Sequence, residues 1–205
     1  MTARDCRTGK AELSGRVVIT DDEQTDGAIL APHPAHPPLM VGRVAAMLDA
    51  RDPHWLRLRW RIEGAQQLCV PRLTGRRRAD ELWRTTCFEL FVQPEGGSSY
   101  QEWNFSPSQS WASYDFVGYR SGMTARAVPR PPVITWRGGA SGLRLMDVAV
   151  ARAGLPPLPW RYGLTAVLEE EGERVSFWAA AHRAEKPDFH DPACFTGRLA
   201  APAAT

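Results

Sequence analysis

Between residues 87 and 115 the chain sets carboxylates and amides among side chains that are otherwise aromatic or branched. Glu89 sits inside Cys-Phe-Glu-Leu-Phe-Val, Glu102 and Asn104 inside Tyr-Gln-Glu-Trp-Asn-Phe, and Asp115 inside Trp-Ala-Ser-Tyr-Asp-Phe. Acids and amides gathered on one surface can orient ligand hydroxyls, or act as an acid–base pair. Side chains on a strand alternate faces, and residues 94–98 and 106–109 supply turn chemistry between the three runs. If both hairpins fold about the middle of those turns, Glu89 lies across from Asn104 and Asn104 from Ser113. Phe91 then meets Glu102, and Glu102 meets Asp115. One face carries Cys87, Glu89, Phe91, Glu102, Asn104, Ser106, Trp111, Ser113 and Asp115. The opposite face, with Phe88, Leu90, Val92, Trp103, Phe105, Ala112, Tyr114 and Phe116, is the expected core. A slip of one residue in either turn reverses the faces of a strand.

A polar sheet face can also arise with no function, because one side of an antiparallel sheet commonly meets water. Two features point past that. Apolar neighbours enclose Glu89, and Glu102 beside Asp115 would repel unless a cation, an arginine or a ligand hydroxyl stood between them. The eight tryptophans add a second kind of contact. Trp83, Trp111 and Trp136 fall at strand ends or beside turns, where a ring can remain partly open and stack on a flat ligand, although core packing is the commoner fate of any one of them. Near the end, Lys186-Pro187-Asp188-Phe189-His190 puts three ionisable groups on a loop fixed by proline. That loop could close over a ligand or pin itself by hydrogen bonds. The candidate ligand-binding residues are therefore Trp83, Glu89, Glu102, Asn104, Trp111, Lys186, Asp188 and His190. No residue is assigned to catalysis or to a metal.

The elements that must position these groups are short strands. Residues 39–50, 54–62, 67–70, 133–136, 143–150, 162–169, 175–181 and 195–199 read as strands around the central meander. The clearest alternation is Leu56, Leu58, Trp60 and Ile62 inward against Arg57, Arg59 and Arg61 outward. Helical periodicity is confined to residues 44–48 and 147–153. Short strands broken by Gly/Pro turns argue for an all-β fold, an antiparallel β-sandwich. Residues 30–200 form one expected domain, residues 1–29 an irregular or disordered extension, and residues 201–205 a tail. The proline-rich lead-in at 31–38 fits neither helix nor central strand, and His33 and His36 within it have no carboxylate or cysteine nearby to complete a metal site.

A chain of 205 residues with 43% hydrophobic content is sized for a single core. A net charge of +2 is too near neutral to point to nucleic acid. Arg76-Arg77-Arg78 is the one dense basic cluster, in a loop expected to be solvated. No stretch approaches the ~20 apolar residues that cross a membrane as a helix. The N-terminus lacks the apolar run of a secretory signal, so the expected address is the cytoplasm. Cys6, Cys69, Cys87 and Cys194 are scattered, without zinc or redox spacing.

The run Leu82-Trp83-Arg84-Thr85-Thr86-Cys87-Phe88-Glu89-Leu90-Phe91, followed by Tyr100-Gln101-Glu102-Trp103-Asn104-Phe105-Ser106-Pro107 and Trp111, resembles the DOMON-like superfamily. More narrowly it is similar to the bacterial group related to family 9 carbohydrate-binding modules. Phe177-Trp178-Ala179 through His182, with Lys186 to His190, resembles the closing region of that group. The resemblance implies a β-sandwich that binds a ligand, with sugar or haem as the ligands among relatives. Trp83 and Trp111 with Glu89, Glu102 and Asn104 are the positions that could clamp a sugar. Haem, which such relatives hold through Met and His, is not favoured: Met40, Met123, Met146, His54, His182 and His190 lie in no matching motif, and the cofactor stays open.

Three functions follow as expectations. The first is a non-catalytic module for a carbohydrate or similar polar small molecule. The second is a glycoside-processing enzyme using Glu89 and Glu102 as an acid–base pair. The third is a partner-binding role for the polar face or the arginine row, which could equally be a solvated face that discourages edge pairing.

Overall fold

The computed structural model describes residues 27–139 and 141–201. The extension expected over residues 1–29 lies outside the described residues as far as residue 26, as do Cys6 and residues 202–205. The first strand, β1 (Gly27–Pro32), already includes residues 27–29 and takes in the start of the proline-rich lead-in. Pro32 is tolerated there because the ladder bond to β11 is made by the next residue, His33 N to Phe177 O, and pairing with β2 ends at Leu30, so no strand needs an N–H from position 32.

The architecture is a β-sandwich of antiparallel strands. One sheet takes β1, β2 (Arg43–Asp49) and β3 (Trp55–Glu63). The chain then crosses to the second sheet for β4 (Cys87–Pro94), β5 (Tyr100–Phe105), β6 (Trp111–Phe116) and the two-residue β7 (Thr124–Ala125). It returns to the first sheet for β8 (Val133–Gly138) and β9 (Arg144–Ala151). It ends in the second with β10 (Trp160–Glu170), β11 (Arg174–Ala179) and β12 (Gly197–Leu199). Strand order runs β7-β6-β5-β4-β10-β11-β1-β2-β3-β9-β8, with β12 also on β10. β1 is the seam: residues 27–30 pair with β2, whereas Ala31 and Pro32 pair with β11.

The core lies between the sheets. Leu56, Leu58, Trp60 and Ile62 of β3 point inward, as the alternation predicts, and meet Phe88, Leu90, Val92, Trp103 and Phe105 from the other sheet. The Trp60 ring stands 5.4 Å from Phe88 and 6.3 Å from Phe105, so three large rings fill the centre. The outward Arg59 pairs with Asp147, Arg57 with Asp52 and Arg61 with Glu63, so that arginine row is a paired surface.

The two hairpins of the meander turn differently. Between β4 and β5 the register is the expected one: Glu89 pairs with Asn104 and Phe91 with Glu102. Between β5 and β6 it is displaced by one residue, so that Asn104 pairs with Ala112 and Glu102 with Tyr114. The cause is the loop. Ser106 N donates to Ser110 O at 2.9 Å, which leaves three residues outside the ladder, and Gln109 takes a left-handed backbone with φ of 70°. This is the three-residue hairpin, in which an αL residue completes the turn. Every side chain of β6 therefore reverses. Trp111 joins the core between the sheets, and Asp115 pairs with Arg126 at 2.8 Å instead of facing Glu102. Ala112, Tyr114 and Phe116 move to the side of Glu89 and Glu102.

Candidate functional site

On the outer face of the second sheet Glu89, Glu102 and Asn104 lie side by side, as β4 and β5 require. This face is not open to water. Residues 181–196 cross over it and seat Phe189, Cys194 and Phe195 against Phe91, Tyr100, Phe116 and Val167 in a second apolar cluster. Phe195 stacks on Phe91 with ring centroids 5.6 Å apart. The crossing passes close enough to β10 that a Cβ at Gly163 would stand 2.7 Å from the Cys194 carbonyl oxygen, and that clearance is why a glycine occupies a strand interior here. The Arg161 guanidinium donates to the carbonyls of Pro192 and Phe195, and Cys194 Sγ donates to Ala181 O at 3.2 Å and Asp188 O at 3.4 Å. The loop is thus fixed by its backbone carbonyls, and the cavity beneath it is built into the fold.

That cavity measures about 970 Å³. Glu89, Glu102 and His190 form its polar floor. Phe91, Tyr114, Phe116, Phe177 and Phe189 supply aromatic walls, with Trp83 and Met123 toward the opening. Two carboxyls in so apolar a place are the unusual feature. Glu89 is 3% exposed and Glu102 6%. One oxygen of each is held: Thr165 Oγ1 donates to Glu89 Oε2 at 2.9 Å, and Asn104 Nδ2 donates to Glu102 Oε1 at 2.6 Å. Glu89 Oε1 and Glu102 Oε2 have no hydrogen-bond partner among the described residues. Burial raises the pKa of both carboxyls, and for Glu89 the neighbouring Glu102 raises it further. The pair holds a proton more tightly than an ordinary carboxylate. Asn104 itself is 1% exposed and accepts from the Cys87 thiol, so it acts by orienting Glu102.

Around this floor runs a polar frame. Tyr100 Oη accepts the Arg120 backbone N–H at 3.2 Å and meets His190 Nδ1 at 2.7 Å. With the hydroxyl proton given to Nδ1, the ring keeps its own proton on Nε2, which faces Glu102 Oε2 at 3.7 Å. Burial first, and then the Arg120 charge, push the His190 pKa down to about 4, so the imidazole is neutral and its approach to Glu102 is no ion pair at pH 7. Asp188 fixes the frame. It accepts from Arg120 at 2.7 and 3.2 Å, from Tyr119 Oη at 2.5 Å and from the His190 backbone at 3.1 Å.

Of the residues singled out in the sequence, Trp83, Glu89, Glu102 and His190 line the cavity. Asn104 and Asp188 stand behind it as supports. Lys186 is exposed on the loop and Trp111 is on the far side of the sheet, so neither meets it. Trp111 instead lies under the Arg78 guanidinium, 5.7 Å from the ring centroid, and Arg78 donates to the carbonyls of Ser113 and Arg126. One member of the basic triplet is therefore docked on the sheet, not solvated. Tyr114, Phe116, Arg120 and Thr165 are contributions that sequence reasoning missed. Tyr114 and Phe116 follow from the three-residue hairpin, and Arg120 reaches Asp188 across 68 residues, for which no local signal exists.

The donor set does not suit haem. His190 Nδ1 is taken by Tyr100, and Glu102 stands where iron on Nε2 would have to be. His182 Nε2 bonds Ala31 O, and Met146 is sealed in the core. His33, His36 and His182 do cluster, with His33 and His182 centroids 5.0 Å apart, but His33 Nε2 donates to the Ala184 carbonyl and Nδ1 accepts the Ala35 N–H. Among the described residues no group of three or more His, Cys, Asp or Glu side chains is placed to hold a metal ion.

No family model and no curated protein matches the chain. Solved structures do. A provisionally described carbohydrate-binding protein from Bacteroides uniformis superposes with a TM-score of 0.58 at 14% identity, covering 87% of each chain. A family 9 carbohydrate-binding module from Caldicellulosiruptor kristjanssonii in complex with glucose gives 0.47 at 11% identity, over 96% of this chain and 94% of that one. The module from that organism in complex with cellotriose gives 0.45 at 13%, over 80% of each. At such identities the likeness concerns the fold.

Proposed function

We propose that this chain is a non-catalytic binding domain whose cavity takes a sugar or a similar polyhydroxylated small molecule. The observation that carries the reading is the pair of buried carboxyls in an aromatic-walled cavity, where Glu89 Oε1 has no hydrogen-bond partner among the described residues and Glu102 Oε2 has only the long 3.7 Å approach of His190 Nε2. Acceptors that orient hydroxyls beneath rings that cover C–H faces are what such a ligand requires. The fold shared with the Bacteroides uniformis protein supports it. A DOMON-like kinship belongs to the same proposal and rests on residues 82–91 and 100–107. Catalysis by the pair is disfavoured by their placement: Glu89 and Glu102 rise from adjacent strands of one wall, whereas glycoside hydrolysis sets its two carboxyls on either side of the scissile bond.

Isothermal titration against mono- and oligosaccharides tests this, with two tryptophan variants as a built-in contrast. Trp83 is 46% exposed at the opening, and losing its ring in Trp83→Ala should weaken binding about tenfold. Trp111→Ala should lower stability and leave the intrinsic affinity within about twofold, because that ring is on the other side of the sheet. Absence of heat with every sugar, or a binding loss confined to Trp111→Ala, would overturn the proposal.

A further inference from the structure

We propose that the preferred ligand carries a protonated amine, seated between Glu89 and Glu102, so that the sugar class recognised is an amino sugar. The inference rests on the sugar-binding reading above and narrows it. Its basis is the charge lining the cavity. Four carboxyls line it, Glu89 and Glu102 on the floor with Asp80 and Glu81 toward the opening, against the single guanidinium of Arg120. Arg120 is committed to Asp188 by two hydrogen bonds, at 2.7 and 3.2 Å, and donates none to the floor carboxyls, which feel it only through its field. Asp80 accepts from Tyr114 Oη at 2.6 Å and Glu81 pairs with Arg84 at 2.8 Å, so both acids at the opening already have partners, whereas neither floor carboxyl has a cation bonded to it. His190 is neutral and adds no positive charge. Tyr100 and Cys87, the other titratable groups against the pair, are raised by burial and stay uncharged.

The geometry suits one small cation. Glu89 pairs across strands with Asn104, and Glu102 with Phe91, so the two glutamates are diagonal neighbours on one face, within reach of a shared third group. Each offers one oxygen, Glu89 Oε1 and Glu102 Oε2, and an ammonium offers three N–H donors. The rings of Phe91, Tyr114 and Phe116 around it favour a cation as well. In the empty cavity burial and the Glu102 charge keep a proton on Glu89, whose pKa is pushed up to about 8, in place of that cation. When the ligand enters as R–NH3+, the proton leaves to solvent and the ammonium takes over its hydrogen bonds, with no bond made or broken in the ligand.

The test compares glucosamine and its β-1,4-linked disaccharide with glucose and cellobiose, and with N-acetylglucosamine, whose amide cannot be protonated. Calorimetry is run in phosphate and in MOPS, two buffers of different ionisation enthalpy that carry no primary amine. The expected result is at least tenfold tighter binding of the amines and a heat that differs between buffers, reporting the released proton. In the paired Glu89→Gln/Glu102→Gln protein, checked for folding by its melting curve, the amine preference should disappear. Equal affinity for amine and neutral sugars, or a preference that survives in the double variant, overturns this inference and leaves sugar binding standing. No binding of any of the five ligands overturns both.

Discussion

Glu89→Gln is expected to yield a protein that is more stable than its parent at neutral and alkaline pH and that binds its ligand more weakly. In the folded chain Glu89 is sealed from water with one hydrogen bond to its carboxyl, from Thr165. Burial and Glu102 raise its pKa above the ordinary 4.5, so the folded form binds the proton more tightly than the unfolded form. Stability must then fall as pH rises past 4.5, because the unfolded chain gains by releasing a proton that the folded chain is reluctant to give up. Glutamine keeps the shape and removes that slope. Near pH 8 the variant should gain about 2 kcal/mol, the scale of leaving a carboxyl undercompensated in an apolar site, and below pH 4 the gain should vanish. Urea unfolding at the two pH values measures it. A variant less stable than the parent at pH 8, or a gap that does not change with pH, would contradict the account of this site.

Glu170 should behave in the opposite way, although it is buried as completely. Its Oε2 accepts the Leu39 N–H at 2.7 Å, and its Oε1 those of Met40 and Val41 at 2.7 and 3.0 Å. Three backbone donors converge on one carboxylate and stitch the segment ahead of β2 to the end of β10. Hydrogen bonds to a charged acceptor each contribute about 1.5–3 kcal/mol, and a buried donor left without one is costly. Glu170→Ala is therefore expected to lower the unfolding free energy by about 4 kcal/mol, and Glu170→Gln by about half of that, since one oxygen still accepts. Denaturation by urea reads both. A loss below about 1 kcal/mol for the alanine variant would show that the donors are satisfied elsewhere. Composition does not distinguish these two glutamates. Their partners do: Glu170 is surrounded by donors, whereas Glu89 turns an oxygen into empty space.

The sandwich and most of its strands were legible because their inward residues alternate cleanly, as in β3. The first hairpin was legible too, since Gly96 and Gly97 centre the turn and put Glu89 opposite Asn104. The second was not. Its αL position falls on Gln109, a residue with no preference that would betray it, and the one-residue displacement moved Trp111 into the core and brought Tyr114 to the cavity wall. β1 was hidden by prolines that lie at its end. The cavity itself could not be read, because its roof comes from residues 181–196 folding over a sheet built from residues 87–179. Gly163 in the middle of an otherwise bulky strand was the one local sign that another backbone passes close by. The residue types at 186–190 suit either closing on a ligand or pinning the loop itself. The loop divides these roles, with Asp188 holding the frame and His190 facing the cavity.

The central claim is the location of the binding site, and mapping backbone amide shifts by NMR while titrating the tightest-binding sugar tests it most directly. The account expects the largest shifts at residues 89, 102, 114, 120, 165 and 190, with the outer face of β2, β3, β8 and β9 unmoved. Shifts concentrated around Arg57, Arg59 and Asp147, with residues 89 and 102 silent, would contradict it.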